Sequence, residues 1–138
     1  MNEQQNLETV QRGYEAFGRG DIDALLALFD DDIVWESPGP PELPTAGSRR
    51  GKQQVAAFFD AVNTVFDMQQ FEPETFLADG DRVVVLGRDT AAVRATGKVV
   101  SSPWAHAFTL RNGKVVAFQE YIDTSAVAAE LRSEQVRA

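Results

Sequence analysis

The side chains in this sequence that could do chemistry together are His106 and Glu120. They lie in two runs of alternating bulky residues, and the Asn112-Gly113 dipeptide between the runs is typical of a β-hairpin turn. Both groups fall on the bulkier face of their predicted strands, where an unpaired carboxylate would be costly. A carboxylate beside an imidazole is suited to general acid/base catalysis, so the pair is a candidate site.

Whether the two groups meet depends on the geometry of the turn. A two-residue turn would place His106 opposite Gln119, whereas a bulge at Gly113 would shift the pairing by one residue and place His106 opposite Glu120. The second register also keeps the aromatic residues of both arms on one face. Because register follows the buried pattern, the sequence favours the bulge at Gly113.

The composition bounds the classes of function open to this chain. With 138 residues, of which 43% are hydrophobic, we expect a single domain over 1–138 with room for a cavity. The net charge of −8 argues against nucleic-acid and anionic-membrane partners. The absence of cysteine and the single histidine argue against disulfides, thiol chemistry and a zinc site. The chain start lacks a signal-peptide pattern and no apolar run could span a membrane, so a cytoplasmic location is expected.

The first part of the chain has the hydrophobic spacing of three helices. Helices are predicted over 3–19, 22–29 and 52–66, and Asp21 is the predicted N-cap of the second. The acidic run 30–32 is interpreted as the solvated end of that second helix.

The rest of the chain is predicted to form strands and connections. A short strand over 33–37 leads into 38–51, whose four prolines predict an irregular loop covering the opening of the fold. The later predicted elements are strands over 69–77, 82–94, 99–111 and 114–123, and a closing helix or frayed end over 124–137.

Three stretches carry a resemblance to a known family: GDIDALLALFDDDIVWESPGP at 20–40, RGKQQVAAFF at 50–59 and WAHAFTLRNGKVVAFQEYID at 104–123. In these stretches and in its order of elements, the chain resembles the SnoaL-like and ketosteroid-isomerase-like branch of the nuclear transport factor 2-like (NTF2-like) superfamily. The resemblance implies an α+β cone, in which three N-terminal helices pack in a strongly bent antiparallel sheet and enclose an apolar pocket. This fold hosts enzymes, binding modules and transport proteins, so it leaves the activity open.

The same resemblance implies a set of site residues. SnoaL-like polyketide cyclases use a carboxylic acid on the last strand, near a His and a Tyr, and Glu120, His106 and Tyr14 stand at what look like the matching places. Glu120, where those cyclases have Asp, would move the proton α to a carbonyl group of a small apolar molecule, while His106 and Tyr14 would stabilise the enolate oxygen. No cofactor and no metal are implied. The expected pocket residues are Trp35, Ser37, Phe59, Trp104, Phe108 and Phe118.

Three other functions compete with this one. Steroid isomerisation is disfavoured, because none of its three key residues is matched. The position of the general base is Ser37 here. The positions of the acid and the tyrosine of the oxyanion hole are His106 and Gly13. Epoxide hydrolysis of the limonene-epoxide type needs an Asp-Arg-Asp set, but the adjacent Arg88 and Asp89 point to opposite faces of a strand, which makes it the weakest reading. The main alternative is a non-catalytic binding module, in which the same polar groups only orient an apolar ligand.

The other face of the hairpin predicts how copies of the chain associate. It carries mostly small residues, which allow another surface to approach closely, and we expect a homodimer through this outer side of the sheet. The residues are Ser101, Ala105, Ala107, Thr109 and Tyr121.

Overall fold

The computed structural model describes residues 2–125 and residue 129, and this part of the chain forms three helices and six strands. In chain order these elements are α1 (Glu3–Gly18), α2 (Ile22–Leu26), β1 (Phe29–Ser37), β2 (Gly47–Arg50), α3 (Lys52–Val65), β3 (Phe66–Asp79), β4 (Arg82–Val93), β5 (Val99–Arg111) and β6 (Lys114–Ile122). The closing helix or frayed end predicted over 124–137 lies outside the described residues, apart from residues 124, 125 and 129. No helix in the described ranges is both long and apolar enough to cross a membrane.

All six strands join one sheet in the order β2-β1-β6-β5-β4-β3, and the helices pack on its inner side. The predicted α+β class and the four long consecutive strands are confirmed, but the prediction of an all-antiparallel sheet is wrong. β1 pairs with β6 in parallel, with Trp35 opposite Phe118, while every other pairing is antiparallel. A parallel pair needs a long crossover, so the local hairpin signals that predict neighbouring strands do not reveal it.

Helix α1 begins with a capping box and presents one apolar stripe to the sheet. The side chain of Asn2 accepts a hydrogen bond from the Gln5 amide at 2.8 Å, which satisfies one of the free N–H groups of the first turn. Val10 is 2% exposed, and Tyr14 and Phe17, at helical spacing from it, pack against the core. The stripe therefore carries the Tyr14 hydroxyl to the concave face of the sheet.

The acidic run at 30–32 is part of a strand, and the prediction that it ends a helix is wrong. Helix α2 stops at Leu26, and β1 already begins at Phe29, which pairs with Val115 of β6. Phe29 and Ile33 are 3% and 0% exposed, while the acidic residues between them lie toward solvent. Pairing with β6 and burial of these two side chains outweigh the local helical spacing.

The predicted covering loop is confirmed only in its first part. Residues 47–50 form the edge strand β2, in which Arg49 lies opposite Trp35 of β1. Arg49 also donates hydrogen bonds to the carbonyl oxygens of Pro44 at 3.0 Å and Thr45 at 3.2 Å. These contacts hold the proline-rich segment against the sheet, with Leu43 buried beneath it.

The β5–β6 hairpin has the predicted pairing of His106 with Glu120, but the turn that was expected to produce it is different. Asn112 and Gly113 both have positive φ, 53° and 79°, as a two-residue turn requires, and Arg111 pairs with Lys114. The predicted bulge at Gly113 is therefore wrong. The extra residue lies deeper, between the pairings of Thr109 and Leu110, and leaves Val116 of β6 without a partner in the register.

This displaced bulge changes which face each residue of β6 occupies. Val115 is 2% exposed and Phe118 is 3% exposed, a spacing of three residues that the bulge allows. Beyond the bulge, Phe108 pairs with Phe118 and His106 pairs with Glu120. The predicted meeting of His106 and Glu120 is thus confirmed, because the Asn-Gly turn and the buried pattern are both accommodated by one extra residue inside the strand.

Candidate active site

A cavity of about 150 Å³, partly open to solvent, lies between the helices and the concave face of the sheet. Its lining is mainly apolar and includes the predicted pocket residues Trp35, Ser37, Phe59, Phe108 and Phe118. The polar side chains among the described lining residues are Thr9, Tyr14, Ser37, Thr45, Asp89, Ser102, His106, Glu120, Asp123 and Thr124. Apolar walls with a few converging polar groups are the usual form of a small-molecule site.

Four of these polar groups form one chain of hydrogen bonds across four elements. The Tyr14 hydroxyl of α1 lies 2.7 Å from His106 Nδ1 on β5. His106 Nε2 lies 3.0 Å from Glu120 Oε2 on β6. Ser37 Oγ, at the end of β1, donates to the other carboxylate oxygen, Glu120 Oε1, at 2.9 Å. The structure thus brings together the three residues predicted as catalytic, and Ser37 joins them.

The direction of these hydrogen bonds follows from the state of Tyr14. Burial, together with the charge of Glu120, raises the pKa of Tyr14 above its ordinary value of 10.0, so the phenol keeps its proton. The phenol can then donate to His106 Nδ1, which leaves the proton of a neutral imidazole on Nε2 to donate to Glu120. A neutral His106 and an ionised Glu120 satisfy the whole chain.

This arrangement changes the role expected for two of the predicted residues. Both ring nitrogens of His106 are engaged inside the protein, and the Tyr14 proton is directed at one of them. Neither group is a free donor toward an enolate oxygen, so the expected direct role in stabilising that oxygen does not fit the structure. Instead, both residues act on Glu120 by fixing the position of its carboxylate.

Trp104 is not among the described residues that line the cavity, so its prediction as a pocket wall is wrong. Its indole lies against the imidazole of His106, with ring centroids 3.9 Å apart and planes within 12°. A Cβ on Gly87 would come within 2.5 Å of that indole, so only glycine lets the ring lie flat over β4. Trp104 therefore stacks against the imidazole of His106 and does not project into the cavity.

Asp89 is a cavity residue that the sequence analysis did not assign to the site. It lies on β4 in alternation with the fully buried Val83 and Val85, and this alternation was the available signal that Asp89 faces inward. Burial, followed by the charge of Glu120, raises the pKa of Asp89 to about 6. Its neighbour Arg88 points outward and pairs with Glu74 at 3.6 Å.

The cavity acids do not form a metal-ion cluster. Within residues 2–125 and 129, no group of three or more His, Asp or Glu side chains is placed to hold a metal ion. The carboxylate of Glu120 is instead held by two hydrogen-bond donors of the protein, Ser37 and His106, with one on each oxygen.

Comparison with known proteins assigns the family. A model of the SnoaL-like domain matches residues 10–118. The chain belongs to the SnoaL-like domain family. The Mycobacterium tuberculosis protein Rv0034 is 30% identical over 128 residues, which cover 91% of this chain and 95% of that protein. Patulin synthesis protein F of Aspergillus clavatus is 32% identical over 95 residues, which are 67% of this chain but only 48% of that protein.

Solved structures of SnoaL-like and related proteins share the fold. An NTF2-like protein from Burkholderia xenovorans has a TM-score of 0.84 and 39% identity, over 94% of this chain and 97% of its own. TerC, co-crystallised with polyporic acid, has a TM-score of 0.83 and 28% identity, over 93% of this chain and 98% of its own. These matches confirm the predicted family resemblance and the NTF2-like α+β fold.

Proposed function

We propose that this SnoaL-like protein is a small-molecule enzyme of the cyclase or isomerase kind, which uses Glu120 as a general base on an apolar carbonyl compound. The observation that carries the proposal is the carboxylate of Glu120 at the wall of an apolar cavity, with one donor on each oxygen. A carboxylate can accept about four hydrogen bonds, so acceptor capacity remains for a ligand proton.

The cost of this arrangement supports a working role. Placing a carboxylate among apolar side chains is unfavourable, and the chain supplies Ser37 and His106, from two other strands, to hold it. Tyr14 in turn holds His106, and Trp104 stacks on the imidazole. A site in which neighbours lock the reacting group is preorganised for catalysis.

The charges of the cavity favour a neutral ligand. Its described lining includes the acidic residues Asp89, Glu120 and Asp123 but neither Lys nor Arg, so an anionic substrate would meet repulsion without a counter-ion. One solved relative, TerC, was co-crystallised with polyporic acid, and one curated relative is a patulin synthesis protein. Both relatives support a small organic ligand for this chain as well.

In the proposed reaction, Glu120 removes a proton from the carbon next to a carbonyl group. The C–H bond breaks, an O–H bond forms on Glu120, and the electron pair moves to give an enolate. Ser37 and His106 keep the carboxylate aimed at that carbon while the charge transfers.

Two of the competing functions, epoxide hydrolysis and ligand binding alone, are affected differently by the structure. The Asp-Arg-Asp set of the epoxide hydrolases is not assembled, because Arg88 points outward and its side chain is 62% exposed. A binding module that only orients a ligand remains the alternative, since both oxygens of Glu120 already have partners.

An exchange experiment separates an enzyme from a binding module. We expect the protein to exchange the α-protons of 2-tetralone, a neutral aromatic ketone, for deuterium in D₂O, followed by proton NMR. Glu120→Gln keeps the volume and removes the base, so the rate should fall by about 100-fold or more. Gln119→Ala, on the other face of the same strand, is the matched control and should keep the rate. Saturable binding of 2-tetralone with no exchange above buffer would establish the binding module instead.

We further propose that the protein forms a homodimer through the outer face of the sheet. Leu86, Ala105 and Tyr121 lie opposite one another across β4, β5 and β6, and the two large side chains are 43% and 59% exposed. Light scattering should report about twice the monomer mass of 15.2 kDa, and Ala107→Glu should restore the monomer. A wild-type protein that stays monomeric at high concentration contradicts the dimer.

A further inference from the structure

Asp89 is a second inward carboxyl that the proposed base chemistry leaves without a task. It lies opposite Ser102 in the pairing of β4 with β5, and it lines the same cavity as Glu120. No hydrogen bond joins Asp89 to another described residue, and its own neighbour Arg88 points away to Glu74. The carboxyl is therefore half-buried, unpartnered within the described chain and directed toward the ligand space.

The two cavity acids stand apart along the sheet. Asp89 is level with Ser102 and Glu120 is level with His106, so four residues of β5, about 13 Å of strand, separate the two pairings. The carboxyl groups do not hydrogen-bond to each other, yet the charge of Glu120 contributes to the raised pKa of Asp89. Both side chains nevertheless line the same cavity, so one ligand bound in it can contact both carboxyls.

The surroundings of the two carboxyls differ in a way that assigns their states. Glu120 accepts hydrogen bonds on both oxygens, which suits a carboxylate. Asp89 is half-buried and lies near the negative charge of Glu120, and both effects favour its protonated form. The other titratable groups of the cavity are Tyr14 on α1, His106 on β5 and the exposed Asp123 after β6, while the lining residues from α3 and β3 are uncharged. One carboxyl held by hydrogen-bond donors and a second one without a partner suit the roles of base and acid.

We propose that Asp89 is the acid partner of Glu120 and donates its proton to the carbonyl oxygen of the ligand while Glu120 takes the proton from carbon. The proposal rests on the proposed function, and it supplies the oxygen donor that His106 and Tyr14 cannot provide. The donor is an acid and the cavity lining is acidic, so the substrate class is a neutral ketone or enone. The carbonyl oxygen of the ligand faces Asp89 on β4, and its acidic C–H faces Glu120 on β6.

The proton count closes over the whole cycle. In the first step the C–H bond breaks and an O–H bond forms on Glu120, while the Asp89 O–H bond breaks and an enol O–H bond forms. In an intramolecular cyclisation the enol carbon then bonds to a second carbonyl carbon of the ligand. The enol proton returns to Asp89 as the first carbonyl re-forms, and Glu120 gives its proton to the new alkoxide. Both acids end in their starting states.

The pH profile of 2-tetralone exchange tests this role. The wild-type rate should fall on the alkaline side by about tenfold per pH unit once Asp89 loses its proton. Asp89→Asn keeps the shape but has no proton to give, so its rate should be lower by about tenfold or more and should lack this alkaline limb. Glu74→Gln, an outward acid paired with the neighbouring Arg88, is the control and should keep the wild-type profile.

The outcomes for the two acids are separable. If Asp89→Asn keeps the wild-type rate and pH profile while Glu120→Gln loses exchange, the acid role of Asp89 is overturned and the general base stands. If Glu120→Gln exchanges as well as the wild type, the proposed function itself fails.

A binding measurement decides the matter without turnover. The affinity for 2-tetralone, read from quenching of tryptophan emission, should weaken by about tenfold as pH rises through the titration of Asp89, because a hydrogen bond to the carbonyl oxygen is lost. The affinity of Asp89→Asn should not change over that range. A wild-type affinity that is independent of pH, or no saturable binding at all, overturns the proposal.

Discussion

The inner and outer faces of β3, β4, β5 and β6 are built from the same four strands, but their polar groups are stabilised in opposite ways. On the outer face, Arg88 and Glu74 form an ion pair whose side chains are 62% and 51% exposed. On the inner face, His106 is 6% exposed and hydrogen-bonded at both nitrogens. Solvent screens the outer pair, which contributes little to stability. The inner groups lack that screening, so each is held by a partner or has its protonation shifted.

The two faces of β4 also differ in how tightly they are packed. Gly87 faces inward, where an added Cβ would meet both the Glu72 carbonyl oxygen and the Trp104 ring at 2.5 Å. Leu86, the next residue along β4, is 43% exposed and constrains nothing comparable. The inner face is therefore sensitive to single methyl groups, whereas the outer face tolerates whole side chains.

The largest effect on stability is expected at Gly87, and its neighbour Leu86 provides the control. Gly87→Ala should lower the free energy of unfolding by about 3 kcal/mol, because neither a backbone carbonyl nor a packed indole can move aside cheaply. Chemical denaturation followed by circular dichroism measures the change. Leu86→Ala should cost less than about 1 kcal/mol. Equal losses in the two variants would mean that the faces do not differ in packing.

A smaller effect with a defined pH dependence is expected at Asp89. Burial and the Glu120 charge raise its pKa from 3.8 to about 6, so the folded protein binds this proton more tightly than the unfolded chain. The wild type therefore loses stability as pH rises from 3.8 toward 6, and Asp89→Asn avoids that loss. Above this range the variant should be more stable than the wild type by up to about 2 kcal/mol. This figure is below the full effect of the pKa shift, because solvent screens the partly exposed carboxyl.

The control for that experiment is on the outer face. Glu74→Gln removes an exposed partner of Arg88 and should change the free energy of unfolding by less than about 1 kcal/mol at any pH. Urea titrations at a series of pH values measure both variants. A constant difference between Asp89→Asn and the wild type from acid to neutral pH would contradict the shifted titration.

The smallest effect, and the most local, is expected at the two tyrosines. The single imidazole gives one pair of ¹⁵N signals, and these should show Nε2 protonated and Nδ1 accepting a hydrogen bond in the wild type. Tyr14→Phe removes the donor to Nδ1, which should shift that signal and cost about 1 kcal/mol of stability. Tyr121→Phe changes a side chain that is 59% exposed and should leave the imidazole signals in place. A protonated Nδ1 in the wild type would contradict donation of a hydrogen bond from Tyr14 to His106.

The local pattern of the sequence was enough to predict much of this molecule. Helical spacing predicted the first helix, alternation placed His106 and Glu120 on buried faces, and the Asn112-Gly113 pair predicted the hairpin. Each of these follows from the backbone period of the element that contains the residues, so no distant contact is needed. The family resemblance, which rested partly on the order of these elements, added the way they pack and the location of the cavity.

Tertiary structure alone decided the rest, because the deciding contacts join residues far apart in the chain. The parallel pairing of β1 with β6 brings Ser37 to Glu120 across 83 positions. The bulge position depends on how the whole sheet buries Val115, and the place of Trp104 depends on the gap left by Gly87. The raised pKa of Asp89 depends on a cavity formed by α1, α3 and the sheet together, and no local pattern in the sequence encodes that enclosure.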